Sequence, residues 1–255
     1  MIRDRLYVST IDREAGKVAR QYGLGIEIAE FCTAWNMDRE LPAVEKTLKE
    51  TLTGVSRRVL HGPFNELFPC AIDPKARQLA AYRFSQAAAL AQAYGAGKLV
   101  LHGGFNPQMY YPQWYVEQSV LFWRGFLQEV PPDFVLALEN VMEPSPDTLV
   151  SIAAGVDDPR LGLCLDVGHA NTCVSRTPPL DWIAPMAPYL RHVHLHNNRG
   201  QEDLHAPLDE GTVPMQEVID AVLERSPRAT FTIENQDALP SLRWLARQGY
   251  IEDIL

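Results

Sequence analysis

YLRHVHLHNNRGQEDLHAPLDEG, residues 189–211, opens as a strand and ends as a polar loop, and its reading decides the fold. Period-two alternation puts Leu190, His192, His194 and His196 on one face and Arg191, Val193 and Leu195 on the other. Three imidazoles on one face of a half-buried strand are costly unless they find partners. Neutral imidazole is a frequent ligand for transition metals, and Asp203 and His205 add two donors shortly after. The plain alternative is a polar strand end with solvated histidines. What the other strands carry separates the two readings.

Working outward, short apolar runs recur at 6–9, 24–29, 57–61, 98–102, 135–139, 162–166, 192–196 and 230–234. Between them lie helical patterns at 12–22, 42–53, 73–94, 115–129, 146–154, 180–187, 214–224 and 237–248. Asp12 and Asp73 read as N-caps, Pro74, Pro146 and Pro214 as first-turn residues, and Gly23, Gly95 and Gly249 as helix stops. Eight strands alternating with eight helices over residues 1–255, with no linker-like segment, predict one α/β domain, a single (β/α)₈ TIM barrel. A doubly wound sheet is the runner-up, but the first strand runs into STIDREAG and not into a glycine-rich phosphate loop.

In such a barrel the functional groups sit at the C-terminal ends of the strands. Those ends are Glu27, His61, His102, Glu139, Asp166, His194 and Glu234. From the third strand to the eighth, every one is a potential ligand or acid–base group. Glu139 in VLALEN and Glu234 in FTIEN end apolar runs, where a carboxylate needs a cation or several hydrogen bonds. A lysine or arginine partner is the competing explanation for each. Glu139, Asp166, His194 and Glu234 form a mixed oxygen and nitrogen set suited to Mn²⁺, Zn²⁺, Co²⁺ or Mg²⁺. No sulfur ligand joins them, which argues against a closed structural zinc site. His169 follows Asp166 by one turn, and Gly62 and Gly103 after His61 and His102 would let backbone approach a ligand. Asn140, Asn197 and Asn235 are candidates to bond ligand carboxylates or substrate hydroxyls, while His192 and His196 either orient neighbours or point elsewhere.

These motifs carry a resemblance over nearly the whole chain. HGPF at 61–64, LHGG at 101–104, LEN at 138–140, CLDVGH at 164–169, HVHLHNN at 192–198, DLHAPLDEG at 203–211 and IEN at 233–235 are similar to the xylose isomerase-like TIM barrels. That superfamily includes sugar isomerases, ketose epimerases and endonuclease IV. In the isomerase and epimerase branch, the resemblance implies one metal on Glu139, Asp166, His194 and Glu234. Glu139 and Glu234 would then be the catalytic pair, exchanging protons at adjacent carbons of a sugar or sugar phosphate, with His169 on a substrate oxygen. In endonuclease IV a fuller set binds three zinc ions, and this chain matches it at His61, His102, Glu139, Asp166, His169, His194, Asp203, His205 and Glu234.

Charge favours the small-molecule branch. The chain carries 32 acidic against 23 basic side chains, a net charge of −9. Its expected loops hold Glu66, Glu143, Asp147, Glu202, Asp209 and Glu210 against few cations such as Arg39, Arg176 and Arg199. A duplex binder needs phosphate contacts along a groove, so nucleic acid is the disfavoured partner. Phe31, Trp35, Phe64, Phe68, Tyr110 and Tyr111 serve either to stack on a sugar face or to pack the loops. The expected activity is a divalent-metal-dependent isomerase or epimerase. The alternatives are an endonuclease IV-like phosphodiesterase acting on abasic-site DNA and a barrel that binds metal and carbohydrate without turnover. MIRDRLYVST lacks a signal-peptide core and no apolar run spans a bilayer, so no membrane partner and a cytoplasmic location are expected. Cys32, Cys70, Cys164 and Cys173 lack metal or disulfide spacing and read as buried thiols.

Overall fold

Alternating strand and helix propensity leaves each strand an apolar face that only a crossover helix can cover. In the computed structural model, which describes residues 1–252, the chain runs β1 (Leu6–Ser9), α1 (Ala15–Tyr22), β2 (Gly25–Ile28), α2 (Ala34–Asp38), α3 (Leu41–Thr51), β3 (Arg58–His61), α4 (Pro74–Ala93) and β4 (Lys98–His102). It continues through α5 (Pro112–Phe126), β5 (Val135–Glu139), α6 (Asp147–Val156), β6 (Leu161–Asp166), α7 (Pro179–Met186), β7 (Leu190–Leu195), α8 (Met215–Arg225), β8 (Thr230–Ile233) and α9 (Leu239–Arg247). The strands are parallel and close in sequence order, with β8 returning to β1. The protein is a (β/α)₈ barrel, and the doubly wound alternative falls with the closure. Among the described residues no helix is long and apolar enough to cross a membrane.

Register sorts each strand into two faces. Ser9 lies opposite Glu27, His102 opposite Glu139, Asp166 opposite His194, and His194 opposite Thr232, so these residues share the barrel interior. The alternate set, including Leu6, Val8, Ile26, Leu99, Leu138, Leu165, Val193 and Ile233, is fully buried in the main core with the helices. A small separate apolar layer of Val59, Val100, Ala137 and Cys164, with Tyr7 against it, occupies the interior.

Several local expectations change. Asp73 does cap α4, its side chain accepting from the Lys75 amide. Asp12 does not cap α1, which starts at Ala15 behind Glu14; its carboxylate instead accepts the amides of Glu14 at 2.7 Å and Ala238 at 2.9 Å, joining the loops after β1 and β8. The short helix α2 was not expected, and Thr33 caps it. Helix α5 starts at Pro112, whose fixed φ suits a first helical position after extended Tyr111. Only Cys70 and Cys164 are buried thiols; Cys32 is half-buried and Cys173 exposed, and all four are free.

Candidate metal centre

Strand alternation places the ends of β3 to β8 around one opening. Glu139, on β5, is 1% exposed and sits at the middle. Its two oxygens divide four imidazoles between them. Oε2 lies 3.0 Å from His61 Nε2 and 3.4 Å from His102 Nε2, whereas Oε1 lies 3.3 Å from His169 Nδ1 and 3.4 Å from His194 Nδ1. Asp166 and Glu234 approach His194 Nδ1 at 3.6 and 3.7 Å. Asp203 bridges His169 Nε2 at 3.3 Å and His205 Nε2 at 3.0 Å. All nine residues singled out from the sequence therefore converge. His196 joins them, with Nε2 3.0 Å from both Asp166 oxygens and its ring stacked on His205 at 4.0 Å. His192 lies beneath, bonded to Glu27. Six of the seven histidines of the chain thus belong to the cluster.

The outer nitrogens of these rings are taken. His61 Nδ1 lies 3.0 Å from the Gly62 carbonyl, His169 Nδ1 2.9 Å from that of Asn140, and His205 Nδ1 2.8 Å from that of Glu234. A carbonyl only accepts, so each of these nitrogens carries the hydrogen; Nε2 of His61 then presents a lone pair to Glu139, and Nε2 of His169 and His205 present theirs to Asp203, while the Nδ1–H of His169 also lies beside Glu139 Oε1. His194 is reversed: Nε2 donates to Glu27 Oε1 at 3.0 Å, and buried Nδ1 has no hydrogen-bond partner despite three carboxylates nearby. Lone pairs facing anions require cations between them. No lysine or arginine pairs with Glu139, Asp166, Asp203 or Glu234 among the described residues, whose ion pairs are all with imidazoles. Five groups of three such side chains have donor atoms within 4.8 Å of one another. The donor set fits divalent cations of the zinc and manganese type.

Electrostatics gives the same picture. Burial opposes ionisation of Glu139, yet the imidazoles of His194 and His102 outweigh it and hold the carboxyl well below its usual range. Asp166 behaves alike through His169 and His196. Glu234 goes the other way: burial, with the Glu27 and Glu139 carboxylates, raises it against the pull of His194. His205 overcomes its burial through Asp203 and Glu234 and is raised to about 9. The site demands positive charge, and protons on imidazole supply it where no metal does.

Backbone clamps hold this arrangement. The Asn140 amide gives its NH₂ to the Asp166 carbonyl and accepts the Asp166 amide at 2.8 Å, fastening β5 to β6. Asn235 donates to the carbonyls of His205 and Ala206, and Asn197 to that of Leu208. The three asparagines thus serve the loops, not a ligand. His205 itself is held at φ +47°, a left-handed conformation that costs a β-carbon-bearing residue about 1–2 kcal/mol. Gly62 and Gly103 also have another purpose: a β-carbon there would meet Leu101 at 2.5 Å and the Tyr115 hydroxyl at 2.0 Å. Gly168 leaves room for His196, which an added β-carbon would strike at 1.9 Å.

Loop residues divide. Phe64 stacks on His102 at 4.4 Å, Trp35 and Tyr111 are exposed, and Phe31 and Tyr110 are buried packing. Glu143 is no mouth charge, because it is buried and accepts from the Val141 amide and the Tyr115 hydroxyl. A cleft of about 800 Å³ opens from Asp203 and His205 toward Ile11, Arg13, Leu204 and Leu239.

Residues 17–248 match the family model described as xylose isomerase-like TIM barrel. The chain belongs to that family. A Thermus thermophilus protein soaked with ZnCl₂ is 25% identical, with a TM-score of 0.75 over 98% of this chain and all of that one. A D-tagatose 3-epimerase-like protein shares 20% identity over 96% of each chain at a TM-score of 0.75. A Methylomonas D-allulose 3-epimerase shares 16% over 98% of this chain and 90% of its own, at 0.73. At those identities the family's epimerases speak for the fold alone. An uncharacterised protein of Methanocaldococcus jannaschii is 27% identical over 192 residues, 70% of this chain, and the match spans 64% of that relative.

Sequence reading missed two members of this cluster. Glu27 is a strand end to which the sequence assigns no role. For His196 alternation gives the face and not the partner, so the sequence leaves its role open; the structure sets it one residue past β7.

Proposed function

We propose that this family member holds at least two divalent ions at the barrel mouth and hydrolyses a phosphoester of a small polyhydroxy compound such as a sugar phosphate. One observation carries the reading: Glu139 turns Oε2 toward Nε2 of His61 and His102 and Oε1 toward the unpartnered Nδ1 of His194, a disposition that would suit a carboxylate serving two ions. His169, Asp203 and His205 then form a further donor group that a one-ion site does not need. Divalent ions in such a site polarise a phosphoryl oxygen and make water nucleophilic near neutral pH. The chain's own contribution is positional. Asn140 fastens the ligand-bearing ends of β5 and β6, Asn235 holds the loop that carries His205, and Asp12 ties the two walls of the cleft that would take the substrate body. Arg13 lines that cleft beside Asp12, Glu14 and Asp237 and would be the side chain to meet an anionic substituent there. A net charge of −9 supports a small substrate over a DNA duplex.

The second reading, proton transfer in a ketose isomerase or epimerase, draws support from Glu139 and Glu234, which both converge on His194 Nδ1. Four imidazoles around Glu139 disfavour it, since a carboxylate so clamped is a poor proton carrier. The test is elemental analysis of protein purified without chelator, paired with two assays. Two or three ions per chain with phosphate release from sugar phosphates or bis-p-nitrophenyl phosphate is the expected result. One ion per chain, with solvent deuterium entering a ketose and no hydrolysis, would overturn the proposal in favour of the second reading.

A further inference from the structure

Below the cluster, the barrel interior contains a polar series, half-buried at Lys98 and Thr230 and fully buried at His192 and Glu27, that ends on a cluster nitrogen. Glu27, fully buried on β2, receives His194 Nε2 on one oxygen at 3.0 Å. Its other oxygen receives His192 Nε2 at 2.9 Å and the Thr232 hydroxyl. His192 Nδ1 lies 2.5 Å from Thr230 Oγ1. At the floor, Lys98 Nζ contacts Thr230 Oγ1, lies 3.4 Å from His192 Nδ1, and donates to the Arg191 carbonyl at 2.9 Å.

The direction of hydrogen donation follows from chemistry. An ammonium only donates and a carboxylate only accepts, so the two ends of the series are fixed. Thr230 Oγ1 accepts from Lys98 and turns its one hydrogen to His192 Nδ1 at 2.5 Å, the nearer of its two acceptors, since the Arg191 carbonyl lies at 3.3 Å. His192 then keeps its hydrogen on Nε2, facing Glu27. Glu27 has only acceptor oxygens left, so His194 must present Nε2–H to it. In the neutral ring that a metal would meet, His194 Nδ1 is thereby left bare, aimed at Glu139, Asp166 and Glu234 at 3.4, 3.6 and 3.7 Å.

We infer that Lys98, Thr230, His192 and Glu27 are positioning residues, a one-way hydrogen-bond series that sets the tautomer of His194 and makes its Nδ1 a metal ligand. The inference rests on the metal-centre reading and adds to it the source of the ligand's orientation. It also accounts for a lysine inside a barrel. Lys98 balances the charge of Glu27 through the series, so cations at the mouth answer to Glu139, Asp166, Asp203 and Glu234 alone. Outer partners of this kind act through the ligand they hold, and their loss weakens metal affinity by about 10–100-fold.

The test is metal affinity of the full chain, measured with Zn²⁺ against a chromogenic chelator, together with ¹⁵N imidazole shifts of the zinc-loaded protein. Glu27→Gln keeps the shape but must point an NH₂ at one of two rings that both offer N–H, so one ring has to turn over. Its tightest zinc site should weaken about 10–100-fold. Thr230→Val, which interrupts the series farther from the metal, should weaken binding in the same direction, and Thr230→Ser should restore it. The valine and serine pair decides the matter if Glu27→Gln does not fold. In the wild type the His194 shifts should report hydrogen on Nε2. Zinc affinity unchanged in Glu27→Gln and Thr230→Val, with wild-type zinc binding intact, would overturn the inference and leave the metal centre standing. A wild-type chain that takes up no divalent ion would overturn the centre itself.

Discussion

Leu138 and Glu139 are neighbours in β5 and equally hidden, at 0% and 1% exposure, yet they belong to regions of opposite chemistry. Leu138 faces the helices with the other aliphatic residues of the outer layer, where any well-packed hydrocarbon of its volume would serve. Glu139 faces inward among four imidazoles and can be satisfied only by groups at particular positions. The outer layer is stabilised by the chain itself. Among the described residues the inner rim concentrates carboxylates whose ion pairs are with imidazoles and none with lysine or arginine, so the proposed cations would be what stabilises it. One strand thus carries fold on one face and proposed function on the other.

The sharpest way to break that comparison is to change each neighbour in turn. Glu139→Gln should lower turnover on the order of 10³-fold, because it removes the shared ligand and its charge. Metal content should fall to one ion or fewer, while the chelated variant should be at least as stable as chelated wild type. Leu138→Ala should do the reverse, costing about 2–5 kcal/mol of stability with or without metal while leaving metal content per folded chain unchanged. Thermal unfolding with and without chelator, alongside elemental analysis, reads all four cases. Equal destabilisation by both substitutions in chelator would erase the distinction.

A smaller change probes the rim alone. His205→Ala should remove one ion from a set of two or three and reduce turnover about 10–100-fold, with the ion at Glu139, Asp166, His194 and Glu234 retained. Unchanged metal content would leave the Asp203 and His205 pair as a loop fastening.

How much of this was legible depended on periodicity. Strand ends such as Glu139 and Asp166 were readable because alternation fixes which face a residue takes, and a barrel fixes where strand ends meet. His205 and Asp203 lie in a loop, where nearness to the histidine-bearing strand and then the resemblance, not periodicity, point to them. Asn140 shows the limit: a side-chain amide beside a ligand offers the same groups to a substrate as to a backbone, and only the fold brings the Asp166 amide and carbonyl to it. Asp12 fails likewise, because its partner Ala238 lies at the far end of the sequence. Glu27 needed the register of β2 against β1 and the reach of β7 across the barrel, neither of which a single sequence prints.

Lys98 gives the smallest and most specific effect, because it places a charge in the otherwise lysine-free interior. Burial, only partly offset by Cys164 and Glu27, lowers its ammonium from an ordinary value near 10.5 to about 8. Between those values the unfolded chain binds the proton and the folded chain does not. Stability attributable to Lys98 therefore rises with pH across that window, by at most about 1.4 kcal/mol per unit, and is level on either side. Lys98→Met removes the group, so the difference in unfolding free energy between wild type and variant should shift toward the wild type from pH 8 to pH 10. Urea melts of the chelated proteins at fixed ionic strength measure that difference directly, and the subtraction cancels tyrosines and cysteines that titrate alike in both. A difference that stays flat across the window would mean that Lys98 is solvated at the floor of the barrel, and the interior would then be less dry than its apolar layer of Val59, Val100 and Ala137 implies.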